Sequence, residues 1–200
     1  MKRRVAILIS GRGSNMAALI EAAAEADYPA EIALVIANRA DAPGLEHARA
    51  CGIPTRVVPH QTFGRDRAAH EQAIDAALTD QGIEIVCLAG YMRLLTPFFV
   101  NRWAGRILNI HPSLLPAYPG LDTHARAIAA GERVHGCTVH LVTTAMDQGP
   151  ILAQASVKVL PDDTADSLAA RVLAREHEIY PAALRDFILR LPLPAAALTP

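Results

Sequence analysis

Short apolar runs recur along the chain. Each is closed by a turn of Gly, Pro, Asn or Asp, and most are followed by a longer stretch with helical spacing. Val5 to Ile9 is apolar without interruption, the pattern of a parallel strand covered on both faces. Ile32 to Ala37 is the second strand, Thr55 to Val58 a short third, the strongly apolar Ile83 to Ala89 the fourth, and Ile107 to Ile110 the fifth. Helices are expected between them: Met16 to Ala26, Pro43 to about Cys51, and 65–80 with an apolar stripe of Ala68, Ala69, Ile74, Ala77 and Leu78. Thr96 caps a further helix with Pro97 at its first position. His135 to Thr143 and Ile151 to Val159 alternate as strands around the turn 144–150, which predicts a hairpin. A last helix runs from Ala165 to about Leu189. Its buried side carries Leu168, Val172, Ile179 and Leu184, and Pro181 is expected to kink or break it.

This order predicts an α/β protein: an open, mostly parallel twisted sheet with helices on both faces, and an antiparallel hairpin in the C-terminal part. A chain of 200 residues suits one domain, 1–190, with a proline-rich tail, 191–200. The formal charge of −1 argues against a general nucleic-acid footprint. The first apolar run is too short for a signal core or a membrane span. Cys51, Cys87 and Cys137 are widely spaced and form no CxxC pair, as in a protein that keeps its thiols reduced. A cytoplasmic protein with small-molecule substrates is expected, either monomer or homodimer.

Two loops carry candidate chemistry. Ser10-Gly-Arg-Gly-Ser-Asn15 joins the first strand to the first helix. Glycines there let the backbone approach a ligand, and the helix N-terminus favours an anion such as phosphate. The spacing is GxGSN and not GxGxxG, so a dinucleotide fingerprint is not supported. A plain turn with a serine cap fits the same residues. Arg65 and Arg67 at the start of the third helix oppose its dipole, which points either to an anionic ligand or to a solvated surface.

The second loop is the centre of the chain. Ile107 to Gly120 begins as a buried strand and ends in a loop of three prolines. Asn109 and His111 are two apart on that strand, so both side chains share a face. One donates hydrogen bonds and the other exchanges a proton near neutral pH. Such a pair at the carboxyl end of a strand lies where open α/β sheets place their chemistry. A buried pair that only shapes the loop is the alternative. Asp147, in the hairpin turn, is a further candidate, although aspartates in turns more often bond their own backbone.

SGRGSN (10–15), AGYMRLL (89–95), NIHPSLLPAYPG (109–120), HGCTVH (135–140), DQGPI (147–151) and REHEIYP (175–181) together resemble the phosphoribosylglycinamide formyltransferases. The resemblance reaches from the first strand to Pro181. It implies a Rossmann-like formyltransferase fold and transfer of a formyl group from 10-formyltetrahydrofolate to a glycinamide ribotide in purine synthesis. It implies Asn109, His111 and Asp147 as catalytic residues, with His140 and Ser113 in support. Gly13, Ser14, Asn15 and Glu176 would hold the ribotide. Arg67, Met92, Arg93, Leu94, Leu95, Asn109, Thr143 and Thr144 would lie along the folate. No metal is implied. Gln148 stands where the family has a small residue, and Ala117 where it often has lysine. A hydrolase of the same donor is expected to carry an extra N-terminal domain and to lack the GRGSN loop. A tRNA formyltransferase is expected to carry a further C-terminal domain.

Overall fold

The computed structural model describes residues 2–192, so the expected tail lies almost wholly outside the described residues. Seven strands form one sheet: β1 (Arg3–Ile9), β2 (Ala30–Ala37), β3 (Thr55–Val57), β4 (Ile85–Leu88), β5 (Ile107–His111), β6 (Val134–Leu141) and β7 (Ile151–Lys158), in the order β3-β2-β1-β4-β5-β6-β7. The first five run parallel; β5–β6 and β6–β7 are antiparallel. The helices are α1 (Ser14–Ala23), α2 (Gly44–Ala50), α3 (Arg67–Asp80), α4 (Pro97–Arg102), α5 (Thr123–Ala129) and α6 (Ala165–Arg190).

The uninterrupted apolar strands follow from burial on both faces. Val5, Ile7 and Ile9 of β1 pack with Met16 and Leu19 of α1, Leu45 of α2, and Leu168, Val172 and Leu184 of α6. Ala6 and Leu8, pointing the other way, pack with Ile74 and Leu78 of α3 and Phe99 and Trp103 of α4 and its end. Two hydrophobic layers therefore sandwich the sheet, and a strand of this kind has no polar face to show. Among the described residues, no helix is long and apolar enough to cross a membrane.

Four local expectations differ from the structure. α1 spans Ser14–Ala23: it starts two residues before the expected Met16, because Gly13, at φ 69°, takes the cap position, and it ends three residues before Ala26. α3 is preceded by a short 3₁₀ turn, His60–Phe63, and is capped by Asp66, whose side chain accepts from the Ala69 amide. Thr96 stands at the cap of α4, but its side chain does not cap. Its hydroxyl and its amide both donate to the Glu71 carboxylate, which ties α4 to α3. α6 runs through Pro181 as one helix. Neighbours pin both sides of that proline. The buried Tyr180 hydroxyl lies 3.0 Å from the Leu88 and Leu108 carbonyls, and the Tyr28 hydroxyl donates to the Pro181 carbonyl at 2.7 Å.

Gly136 in β6 is fixed by close approach. A Cβ there would lie 2.0 Å from the Ala155 carbonyl oxygen of β7 and 2.9 Å from Leu114 in the loop after β5. Gly136→Ala is expected to force the β6–β7 ladder apart and lower stability by roughly 3 kcal/mol, the upper end for overpacking. Urea unfolding measures this.

Candidate active site

Strand order reverses direction at β1, whose carboxyl end faces that of β4. A crevice forms at such a point in an open α/β sheet. The loops after β1 and β4 meet across it. The Ser10 amide donates to the Gly90 carbonyl at 3.2 Å, and the Met92 amide donates to Ser10 Oγ at 2.9 Å. The Gly44 amide of α2 donates to the Gly11 carbonyl at 3.1 Å, and a Cβ on Gly44 would strike Ile9 and the Gly11 and Arg12 carbonyls. The glycine-rich loop is thus held from two sides, and Gly13 leads from it into α1.

Asn15 is turned into the protein. Its Nδ2 donates to Glu176 Oε2 of α6 at 2.6 Å, both residues are buried, and Asn15 Oδ1 has no partner among the described residues. Burial raises the Glu176 carboxyl above its ordinary range; the Asn15 hydrogen bond and the charges of His177 and His111 oppose that rise. Asn15 therefore joins α1 to α6 through Glu176, so a ligand at this end would meet the pair as a unit.

On β5, Asn109 and His111 point to one face as their spacing predicts, and β6 adds His140 directly opposite Asn109. Three contacts fix these groups. His140 Nδ1 donates to the Leu141 carbonyl at 3.0 Å, which leaves Nε2 as an acceptor for Asn109 Nδ2 at 3.2 Å. Burial lowers the His140 pKa below the ordinary histidine value, with the Leu141 carbonyl and Asp147 opposing, so the ring is neutral in that role. His111 Nε2 donates to the Tyr118 carbonyl at 3.0 Å, which leaves Nδ1 facing Asp147 Oδ2 at 3.6 Å. These tautomers follow from the hydrogen-bond partners.

Asp147 sits at φ 55°, a left-handed conformation that non-glycine residues rarely adopt. It does not bond its own turn. Its Oδ2 accepts from the Gly120 amide at 2.8 Å, and Oδ1 lies 3.8 Å from His140 Nε2. Gly149 makes this possible: a Cβ there would lie 1.7 Å from the Leu141 carbonyl oxygen. Only a glycine lets the turn fold back closely enough to bring the carboxylate over β5. The distances to both imidazoles exceed a direct hydrogen bond, so in this geometry the carboxylate acts on them through its charge.

Ser113 is fully buried and donates to the Ala117 carbonyl at 2.6 Å, while its own carbonyl accepts from Thr138 Oγ1. It shapes the loop that delivers Tyr118 and Gly120. Met92 and Leu94 are exposed at 68% and 60%, large apolar groups that remain open for a ligand to cover. Leu95 packs partly against the core beneath them, and Arg93 is half-buried beside Met92. Thr143 donates to the Ala145 carbonyl at 3.1 Å inside the hairpin turn, and Thr144 is exposed. Arg67 is the first residue of α3, is exposed, and shares no hydrogen bond with the other candidates among the described residues.

Two participants have no signature in the sequence. They are the Tyr118 carbonyl and the Gly120 amide, both backbone groups; the Tyr-Pro-Gly turn hints only at a loop. Away from the site, burial pushes the Cys87 and Cys137 thiols up to about 12, which leaves both protonated and inert.

Residues 3–184 match the formyl transferase family. The trifunctional purine biosynthetic protein adenosine-3 of Homo sapiens is 48% identical over 184 residues, which are 92% of this chain and 18% of that protein. The chain thus spans under a fifth of that relative. The phosphoribosylglycinamide formyltransferase of Haemophilus influenzae is 44% identical over 185 residues, 92% of this chain and 87% of its own length. The crystal structure of phosphoribosylglycinamide formyltransferase from Brucella melitensis superposes with a TM-score of 0.90 at 55% identity, covering 98% of this chain and all of that one.

Proposed function

The chain belongs to the formyl transferase family, and from that premise we propose that it moves the formyl group of 10-formyltetrahydrofolate to the amine of 5′-phosphoribosylglycinamide, a step of purine biosynthesis. The observation that carries the reading is the meeting of Asn109, His111, His140 and Asp147 beside an open apolar rim and a helix N-terminus. Residues 1–190 serve as one formyltransferase domain acting on small molecules in the cytoplasm.

The amine nitrogen attacks the formyl carbon, and the carbonyl oxygen becomes an oxyanion. Asn109 Nδ2 carries two hydrogens. His140 Nε2 takes one, so the second is held toward the reacting oxygen. A donor so fixed needs no reorganisation as charge develops, and each such donor contributes about 3 kcal/mol. His111 Nδ1 supplies a second donor in the form of the ring that carries a proton there. The attacking nitrogen must lose a proton and N10 of the folate must gain one as its bond to the formyl carbon breaks. His111 and Asp147 are the groups positioned to carry it, and the carboxylate steadies positive charge on the imidazole while it does. Atoms balance without a covalent enzyme intermediate.

The backbone of Gly13, Ser14 and Asn15 receives the ribotide phosphate, and Glu176 its other end. Met92, Arg93, Leu94, Leu95, Thr143 and Thr144 cover the folate, with Arg67 further along it. Gly13→Val strains a backbone at φ 69° whose Cβ would already crowd Met16. It is expected to raise the ribotide KM at least about tenfold while the folate KM stays near its wild-type value, since a strained αL position and a lost cradle act on one ligand only. Equal effects on both constants would contradict the phosphate site.

The proposal is tested by the absorbance change of the formyl donor with and without the ribotide. Ribotide-dependent release supports the transferase. Release of equal rate without ribotide makes the protein a hydrolase of the donor, and binding without release makes it a non-catalytic module.

A further inference from the structure

Two backbone groups set the candidate site. The Tyr118 carbonyl accepts from His111 Nε2, and the Gly120 amide donates to Asp147 Oδ2. The segment that carries them is strained. Tyr118, Gly120 and Asp122 have φ of 54°, 79° and 56°, so two non-glycine residues take the left-handed conformation close together. A backbone of that kind persists only where its surroundings over-determine it. Its flanks are tied by hydroxyls: Ser113 Oγ donates to the Ala117 carbonyl and Thr123 Oγ1 to the Pro112 carbonyl, both at 2.6 Å. Neither bond reaches residues 118–121.

Arg126 supplies the missing restraint. It lies in the middle of α5, and helical side chains lean toward the N-terminus, which carries its guanidinium back over the loop. There Nη1 donates to the Pro119 carbonyl at 2.6 Å and to the Leu121 carbonyl at 3.1 Å. With Gly120 left-handed between them, both oxygens face one nitrogen. The same guanidinium stands 5.3 Å from the centre of the Tyr118 ring, whose hydroxyl donates to Glu132 Oε1 at 2.7 Å. Arg126 is exposed, and a cation on the N-terminal side of a helix opposes its dipole. Neither core packing nor helix stability accounts for it there; the two carbonyls and the ring do.

Resting on the roles given above to His111 and Asp147, we propose that Arg126 is a positioning residue: it holds residues 118–121 in the backbone form that fixes the His111 ring through Tyr118 and seats the Asp147 carboxylate through Gly120. Without it the left-handed residues relax toward ordinary conformations. The Tyr118 carbonyl then leaves Nε2, and the imidazole loses its fixed tautomer. The loss falls on turnover, because ring and carboxylate act at the reacting centre.

The test compares the full chain with Arg126→Met and Arg126→Lys. The first keeps a long apolar stem and removes the donors; the second keeps an ammonium that can donate to the same carbonyls. Arg126→Met is expected to lower kcat by about tenfold to a hundredfold, the cost of a displacement of up to about 1 Å, while the KM of ribotide and of formyl donor each change by less than about twofold. Arg126→Lys should recover most of that loss. A second readout needs no turnover. Nitrogen NMR of histidine-labelled protein in mildly alkaline buffer, with His111 assigned by its loss in His111→Asn, should show its neutral ring protonated at Nε2 in the wild type and in Arg126→Lys. Arg126→Met should show a mixture of both tautomers. A wild-type kcat in Arg126→Met, or an unchanged His111 tautomer there, overturns the proposal. So does a rise confined to either KM, which would make Arg126 a ligand contact instead. Absence of ribotide-dependent transfer in the wild type defeats the proposed function, and the tautomer comparison then still decides whether Arg126 fixes the ring.

Discussion

Asp147→Asn is expected to lower kcat by about 10²–10⁴, the range of a lost general acid–base group, while unfolding shifts by less than about 1 kcal/mol. The amide is the same size as the carboxylate, and its oxygen can still accept from the Gly120 amide, now at 2.8 Å from Oδ2. What disappears is the negative charge 3.6 Å from His111 Nδ1 and 3.8 Å from His140 Nε2. His111 keeps its donation to Tyr118 but loses the counter-charge for a proton on Nδ1. Substrate affinities, measured by equilibrium binding of ribotide and a folate analogue, should stay close to wild type. Near-normal turnover in this variant would remove the carboxylate from the proposed chemistry.

Gly149→Ala should be nearly as damaging by a different route. The added Cβ cannot remain 1.7 Å from the Leu141 carbonyl oxygen, so the hairpin turn must open. The Leu141 amide, which donates to the Pro150 carbonyl at 2.9 Å, sits in the same closure. Asp147 is carried on that turn. A displacement of about 1 Å at a reacting centre costs about 10²-fold in rate, and overpacking adds up to roughly 3 kcal/mol of instability. Gln148→Ala provides the control, since Gln148 is exposed beside the same glycine and its truncation leaves the turn closed. Steady-state rates and urea unfolding of the pair separate geometry from composition. Equal, wild-type-like rates in both variants would mean that the turn need not be tight.

Most of the fold was legible because burial on both faces writes an unmistakable pattern. Val5 to Ile9 has no polar residue, and the sheet packs on both of its sides. The hairpin was legible from the turn between two alternating runs. Where the reading slipped, a local competitor had won. Gly13 took the cap that Ser14 was suited to fill, because a glycine adopts φ 69° without the strain a side chain would bring. The 3₁₀ turn at His60–Phe63 has no apolar period to announce it. Pro181 stays in its helix because Tyr28 and Tyr180, distant in sequence or pointing elsewhere, supply the restraint.

The site was legible in part. Period-two spacing alone put Asn109 and His111 on one face. The approach of Asp147 was not readable from spacing, since it depends on how far the 144–150 turn folds back over β5; it came with the family resemblance. The same is true of His140, whose position opposite Asn109 is a matter of strand register. Asn15 shows the limit most plainly. The resemblance set both it and Glu176 beside the ribotide, but nothing in the spacing announced that Glu176, 161 residues away, draws its amide inward.

The account turns on one arrangement: a formyl oxygen between the Asn109 amide and the His111 imidazole, with the ribotide phosphate at the start of α1. A crystal structure of the protein with glycinamide ribotide and an unreactive 10-formyl folate analogue measures it directly. The account predicts that oxygen within about 3.2 Å of both side chains, with phosphate oxygens on the backbone amides of Gly13 to Asn15. A formyl group bound away from Asn109 and His111, with the phosphate elsewhere on the molecule, would contradict it.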